Sequence, residues 1–208
     1  MTKREVDLSE AWVKKILIFA KARSTRDYLL FRLYATKGFR RGEIVGSEAR
    51  HWDKETRKWS PVEATLPGLR IEDLRDDGIF VQGKGWKKEK NPNPPEFVRL
   101  SKEFVQELRK FIGSRKTGRI FEMHWTRPNQ LCHQYAKWAG HPDWMLVHPH
   151  RFRHFGATTT FIIEGKDLRA ANSFLRHKSM ASTFTYISKQ TPEERAKTSD
   201  KMETLISV

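Results

Sequence analysis

Helix-start signals recur along this chain so often that most of it can only fold as short, packed helices. Ser9 stands before Trp12, Ile16 and Phe19, which share a face at i, i+4 and i+7 spacing, and this predicts a helix over 9–23. Ser24 followed by Asp27 repeats the signal, and a second helix over 24–37 holds Tyr28, Leu29, Phe31, Leu33 and Tyr34 before Gly38 breaks it. A short helix is expected over 41–47. Residues 101–113 set Phe104, Leu108 and Phe111 on one face. Thr126 opens a helix to about Gly140, and Pro149 opens one to about Glu164, closed by Gly165. Asp167 caps one to about Leu175, and residues 179–188 form another. Thr191-Pro192-Glu193-Glu194 supplies a cap, a proline and two acids in order, predicting a C-terminal helix over about 191–206.

The pattern changes between residues 50 and 100. Trp52 and Trp59 flank a charged turn, and Pro61, Pro67 and Gly68 prevent a long element, so one strand or an irregular insertion is expected. Residues 78–82 read as a strand, Gly83-Lys84-Gly85 as a turn and 97–100 as the returning strand. The basic, proline-rich stretch 87–95 between them is expected to be an exposed loop. Taken alone, its lysines read equally well as a solvated hairpin tip. The fold class is therefore mainly α with a small antiparallel β-sheet, an α+β chain. No repeat, low-complexity tract or linker interrupts residues 1–208, which are expected to form a single domain.

Charge narrows the partner. The 208 residues carry 40 Lys and Arg against 25 Asp and Glu, a net charge of +15, while 38% hydrophobic and 12% aromatic residues suffice for a core. The positive residues run through the body of the chain among Trp and Phe rather than in a tail, which points to a folded basic face and a nucleic-acid partner. A solubility surface or an anionic membrane surface are the competing explanations of the charge. No apolar run approaches the length of a membrane span, and residues 1–10 have no apolar core of a signal peptide. An intracellular location is expected, in the cytoplasm, on the nucleoid or inside a host cell, with no membrane partner. A single cysteine, Cys132, excludes an internal disulfide framework and a cysteine-rich zinc site.

Three local patterns carry chemistry. Arg40 and Arg41 follow the second helix, with Glu43 just beyond. In Pro149-His150-Arg151-Phe152-Arg153-His154, His150 and Arg153 stand three apart at a helix opening and so share a face. Leu175-Arg176-His177 is followed nine residues later by Tyr186. Singly, each has an ordinary explanation. A bare H-x-x-R arises by chance, His177 reads as a capping or core histidine, Tyr186 as an anchored aromatic, and Glu43 as the partner of a neighbouring arginine. His148, His150 and His154 lack an acid or cysteine to complete a familiar metal set, so no metal is expected.

Together and in order, these residues resemble the catalytic domain of the tyrosine recombinases, the phage-integrase and Xer-type family. The resemblance runs from about Leu8 to about Arg195. Leu8-Ser9-Glu10-Ala11 resembles the opening of that domain, and Tyr34-Ala35-Thr36 through Glu43-Ile44 its first arginine box, which puts Arg40 in the first catalytic arginine position. Gly83-Lys84-Gly85 resembles the hairpin bearing the catalytic lysine. His150 and Arg153 match the H-x-x-R box, His177 the second histidine and Tyr186 the nucleophile. Three departures stand out. Lys-Gly-Phe-Arg-Arg replaces the common Gly-Leu-Arg followed by a small residue, which makes Arg41 a rival to Arg40. Leu-Arg-His replaces Leu-Gly-His. The interval from the first arginine to the lysine is long, which leaves Lys87, Lys88 and Lys90 as alternatives to Lys84.

The resemblance implies a site-specific DNA recombinase or integrase. Tyr186 would attack a DNA phosphate and form a 3′-phosphotyrosyl link while a 5′-hydroxyl leaves. Arg40 and Arg153 would hold the phosphate, His177 would donate to it, His150 would accept the tyrosine proton and Lys84 would protonate the leaving oxygen. Lys87, Lys88, Arg151 and Arg176 are expected to contact double-stranded DNA. No cofactor, metal or ATP is implied. A type IB topoisomerase-like enzyme that relaxes DNA, or an inactive DNA-binding module, are the competing functions. Most family members carry a further N-terminal DNA-clamping domain, and the 39 residues before Arg40 are expected to belong to the catalytic domain itself. The segment 191–206 either docks on a neighbouring protomer, in a dimer or tetramer on DNA, or folds back on its own domain.

Overall fold

Local capping starts most of the helices in the computed structural model, which describes residues 7–49, 52–53, 55–59, 63–83, 94–177 and 179–187. Ser9 Oγ accepts from Trp12 N at 3.4 Å and opens α1 (Glu10–Arg23). Its buried residues are Val13, Ile16 and Ala20, while Trp12 and Phe19 flank that stripe and are only partly buried. Ser24 Oγ accepts from Asp27 N at 3.3 Å to open α2 (Thr25–Lys37). Leu29, Leu30, Phe31, Leu33, Tyr34 and Ala35 are all buried, so α2 is apolar around most of its circumference and runs through the core. Gly38 ends it at φ 58, a left-handed conformation in which a Cβ is disfavoured. Next come α3 (Arg41–Val45), and later α4 (Lys102–Ile112), capped by Ser101, and α5 (Arg127–Trp138). Thr126 precedes α5 without capping it. Its backbone is already helical, and its hydroxyl instead meets His124 Nδ1 at 2.8 Å. Pro128 in that first turn removes one of the amides a cap would serve.

The stretch expected to be one strand or irregular is a two-tier hairpin. β1 (Ser47–Ala49) pairs antiparallel with β4 (Glu63–Leu66), and inside that pair β2 (Trp52–Asp53) pairs with β3 (Lys58–Trp59). Strands of two to four residues carry too little alternation to be read from sequence. The third ladder joins β5 (Gly78–Val81) to β6 (Glu96–Arg99), with Ile79 opposite Val98 and Phe80 opposite Phe97. Residues 84–93, with Lys84, Lys87, Lys88 and Lys90, lie outside the described residues, as does the predicted helix over 191–206.

The chain divides into two compact units at Gly156 and Ala157. The core cluster belongs to the first. There Phe31 of α2 meets Tyr135 of α5 edge-on at 5.3 Å and stacks on Phe152 at 5.3 Å with an interplanar angle of 10°. Cys132 is fully buried in α5, where loss of solvation pushes its thiol well above the usual range. The helix containing the division is α6 (Pro149–Ile163). The second unit continues with α7 (Leu168–Leu175), capped by Asp167, and α8 (Met180–Ile187), which packs on α7. The chain is thus mainly helical with small antiparallel β-structure, the fold class expected from its sequence. Among the described residues no helix is long and apolar enough to cross a membrane.

Candidate active site

A cleft of about 350 Å³ in the first unit is lined by Phe39, Arg40, Arg41, Gly42, Asn129, His148, Pro149, His150 and Arg153. It unites the two arginine patterns of the sequence, 113 residues apart if counted from Arg40 to Arg153. The left-handed turn at Gly38 redirects the chain, Phe39 drops fully into the core, and Arg40 emerges half-buried at the cleft. Phe152 performs the same task for α6. Its burial against Phe31 pins the helix, so His150 and Arg153, one turn apart, are carried to the cleft together.

Arg40 is held by Glu43, a carboxylate only 2% exposed. Glu43 Oε2 accepts from Arg40 N at 2.7 Å and Oε1 accepts from Arg40 Nη1 at 2.8 Å. One buried acid therefore fixes both the helix start and the guanidinium. Arg41 also lines the cleft but rests on an aromatic face, with its Cζ 4.5 Å from the Trp125 ring centroid. Glu43→Gln keeps the shape and removes the charge. It is expected to cost about 1.5–3 kcal/mol, the range for hydrogen bonds to charged groups, read as a lower urea midpoint.

Arg153 is fully buried, and its Nη1 donates to the Gly38 carbonyl. That bond ties α6 to the turn that projects Arg40. A permanently charged fork withdrawn from water beside a cleft is suited to an anion. His150 is exposed at the cleft, with its ring 6.2 Å from that of His148 and nearly parallel to it. Partial loss of solvation first, then the positive charge of Arg153 and the neighbouring His148, His154 and Arg151, lower its pKa to about 4. Although the residue is exposed overall and water in the cleft screens these charges, both influences act downward, so the ring is neutral at pH 7. The sign follows from the unfolded chain, which takes up this proton near pH 6.5 while the folded chain resists it. Stability is expected to be unaffected above pH 6.5 and to fall as the pH drops from 6.5 toward about 4. His150→Gln should flatten that acid-side decline in urea midpoints.

Arg151 is half-buried with Nη1 3.9 Å from Asp7 Oδ1, and the same carboxylate lies 3.6 Å from His154 Nδ1. In the second unit, Arg176 closes α7 at φ 50 and ψ 47. This is the position where the resembled family has glycine, and the backbone shows why glycine suits it. Arg176→Gly is expected to raise stability by up to ~1 kcal/mol, read from the urea midpoint, because relief of the left-handed strain slightly exceeds the added freedom of the unfolded chain. His177 follows at once, with Nδ1 3.1 Å from Thr183 Oγ1. Tyr186 occupies the penultimate position of α8, three residues after Thr183. Sequence reading did not single out Asn129, Asn172 or Thr183. Asn129 and Thr183 had no motif to mark them, and Asn172 stands five residues before His177 with no periodic signal.

No protein-family model matches the chain, and no curated protein matches it. Solved structures do. The fold is similar to that of XerA recombinase, with a TM-score of 0.68 and 20% identity over 97% of this chain and 66% of that one. It is similar to the XerH site-specific recombinase bound to difH substrate in a pre-cleavage complex, with a TM-score of 0.60 and 17% identity over 96% of this chain and 55% of that one. The catalytic domain of bacteriophage HP1 integrase matches with a TM-score of 0.55 and 17% identity over 88% of this chain and 87% of that one. The chain thus spans just under two thirds of XerA and about half of XerH, and nearly the whole of an isolated catalytic domain. These neighbours are tyrosine recombinases, and the fold of this chain is that of their catalytic domain.

Proposed function

We propose that this chain is the catalytic domain of a site-specific DNA recombinase or integrase, which cuts and rejoins DNA through a 3′-phosphotyrosyl intermediate. The observation that carries this reading is the cleft: on a tyrosine recombinase catalytic fold, it holds Arg40, Arg153 and a neutral His150 together. The net charge of +15 supplies the long-range attraction to a polyanion, and the XerH neighbour was solved with its difH substrate.

In this scheme a phosphodiester enters the cleft. Arg40 and Arg153 hold its nonbridging oxygens, where the pentacoordinate transition state gathers charge. The Tyr186 oxygen attacks phosphorus, and the bond to the 5′-oxygen breaks. The tyrosine proton passes to neutral His150, and Lys84, or a neighbour among Lys87, Lys88 and Lys90, gives a proton to the departing oxygen. His177 donates to the phosphate. Lys87, Lys88, Arg151 and Arg176 are assigned to the flanking backbone, Arg151 through the short exposed part of its side chain. Religation reverses each step, and the ester energy is kept, so neither ATP nor a metal enters the scheme. Exchange between two duplexes calls for at least two copies of the chain on DNA.

The test is a nicked duplex whose short cut strand diffuses away after cleavage and traps the adduct. The expected product is a detergent-resistant protein–DNA adduct on the 3′ side of the break, with a free 5′-hydroxyl. No adduct on any attachment sequence from the source genome overturns the enzymatic reading. Relaxation of supercoils without a recombinant product keeps the chemistry and overturns the recombinase assignment.

A further inference from the structure

We infer that Asn172 and Thr183 are positioning residues that fix the tautomer of His177, holding the proton on Nδ1. The argument is a count of protons. Asn172 lies with its side-chain nitrogen 3.0 Å from the His177 carbonyl oxygen. A carbonyl only accepts, so the amide must present its NH₂ there and cannot be turned over. Its Oδ1 therefore faces Thr183 Oγ1, at 2.6 Å. An amide oxygen also only accepts, so the single proton of the fully buried Thr183 hydroxyl is committed to it. The same Oγ1 lies 3.1 Å from His177 Nδ1 and has no second proton to offer, so Nδ1 must be the donor. With the amide inverted, two oxygens would face each other at the 3.0 Å contact, and the chain of donors would fail at its first link.

The backbone closes the loop. His177 N donates to the Asn172 carbonyl at 3.2 Å, so Asn172 grips both amide groups that flank the His177 Cα, one through its main chain and one through its side chain. The ring is thus held by its own carbonyl, through two side chains. With Nδ1 protonated, Nε2 of the neutral ring offers a lone pair, and it becomes a donor only in the imidazolium. On the function proposed above, His177 therefore donates to the phosphate as a cation. Thr183 sits three residues before Tyr186 on α8, so the helix that carries the nucleophile also sets the proton on this histidine.

The tautomer can be read without DNA. The full chain, labelled with ¹⁵N-histidine, is examined by long-range ¹H–¹⁵N correlation at a pH where the ring is neutral, with His177→Gln assigning the signal. The expected result is a pyrrole-like Nδ1 and a pyridine-like Nε2, and the reverse pattern in the wild-type chain overturns the inference. Thr183→Val should release the ring to the Nε2-protonated form or a mixture, while Thr183→Ser should keep the wild-type pattern. A tautomer unchanged in a folded Thr183→Val overturns the role of Thr183. If that variant does not fold, the wild-type spectrum decides alone. In single-turnover cleavage at saturating DNA, Thr183→Val should slow the chemical step about tenfold with DNA affinity unchanged, and Thr183→Ser should restore it. A chain that never cleaves DNA would defeat the proposed function and leave the tautomer assignment standing.

Discussion

Tyr186→Phe is expected to eliminate the covalent DNA adduct, with no detectable product where the wild-type chain forms it within one turnover. The substitution deletes one oxygen and no carbon, so DNA affinity in a gel-shift assay and the helical circular dichroism should both hold. On the proposed function, covalent catalysis rests on this one hydroxyl. A phenol with an ordinary pKa of about 10 becomes a nucleophile only when its proton is taken as it attacks, and a ring without the hydroxyl has nothing to deprotonate. Thr183, a hydroxyl on the same helix, is fully buried and committed to Asn172, so it cannot substitute. If Tyr186 is instead an anchored aromatic of α8, Tyr186→Phe will form the adduct at an unaltered rate, and mapping the attached residue by mass spectrometry will identify another nucleophile.

Arg153→Ala should slow single-turnover cleavage by about 10²–10³, the effect of removing one donor of about 2.7–4 kcal/mol from a preorganised anion site. This arginine has two duties, and the experiment must separate them. Its Nη1 donates to the Gly38 carbonyl, so truncation also removes that buried bond and leaves a cavity, for a stability loss of at least ~1–3 kcal/mol. Arg153→Lys retains the charge and much of the volume but lacks the planar fork. Should the residue serve only the fold, lysine will recover most of the rate in proportion to recovered stability. With phosphate as its partner, lysine will restore the urea midpoint more than the rate, which stays at least tenfold down at saturating DNA.

The sequence was most readable where a residue acts on its immediate neighbours. Ser9, Ser24, Ser101 and Asp167 cap the helices they precede, because a cap bonds an amide two or three positions away. The β5–β6 ladder was visible because Ile79, Phe80 and Val81 run into the Gly83-Lys84-Gly85 turn signal and Phe97 and Val98 answer them, not because either strand alternates. His150 and Arg153 share the cleft because one helical turn separates them. What could not be read depends on distant or very short pieces. The Arg153 bond to Gly38 spans 115 positions, and nothing in either segment announces it. The two-tier hairpin is built from strands too brief to show alternation. Arg40 and Arg41 are adjacent, identical in type and both at the cleft, and they differ in their partners, Glu43 for Arg40 and the Trp125 ring for Arg41, a division the motif does not announce. Arg151 lies beside Asp7, a relation no local motif encodes.

The sealed environment of Cys132 makes this polypeptide a clean background for bioconjugation. Its only native sulfhydryl is buried and kept protonated, so a maleimide added to the folded protein finds nothing to modify. A cysteine introduced at exposed Met145 or Ile163 would then carry a dye or spin label alone, with no need to engineer away a native thiol. Labelling at Cys132 itself becomes a reporter of global opening, since it requires α5 to leave the core.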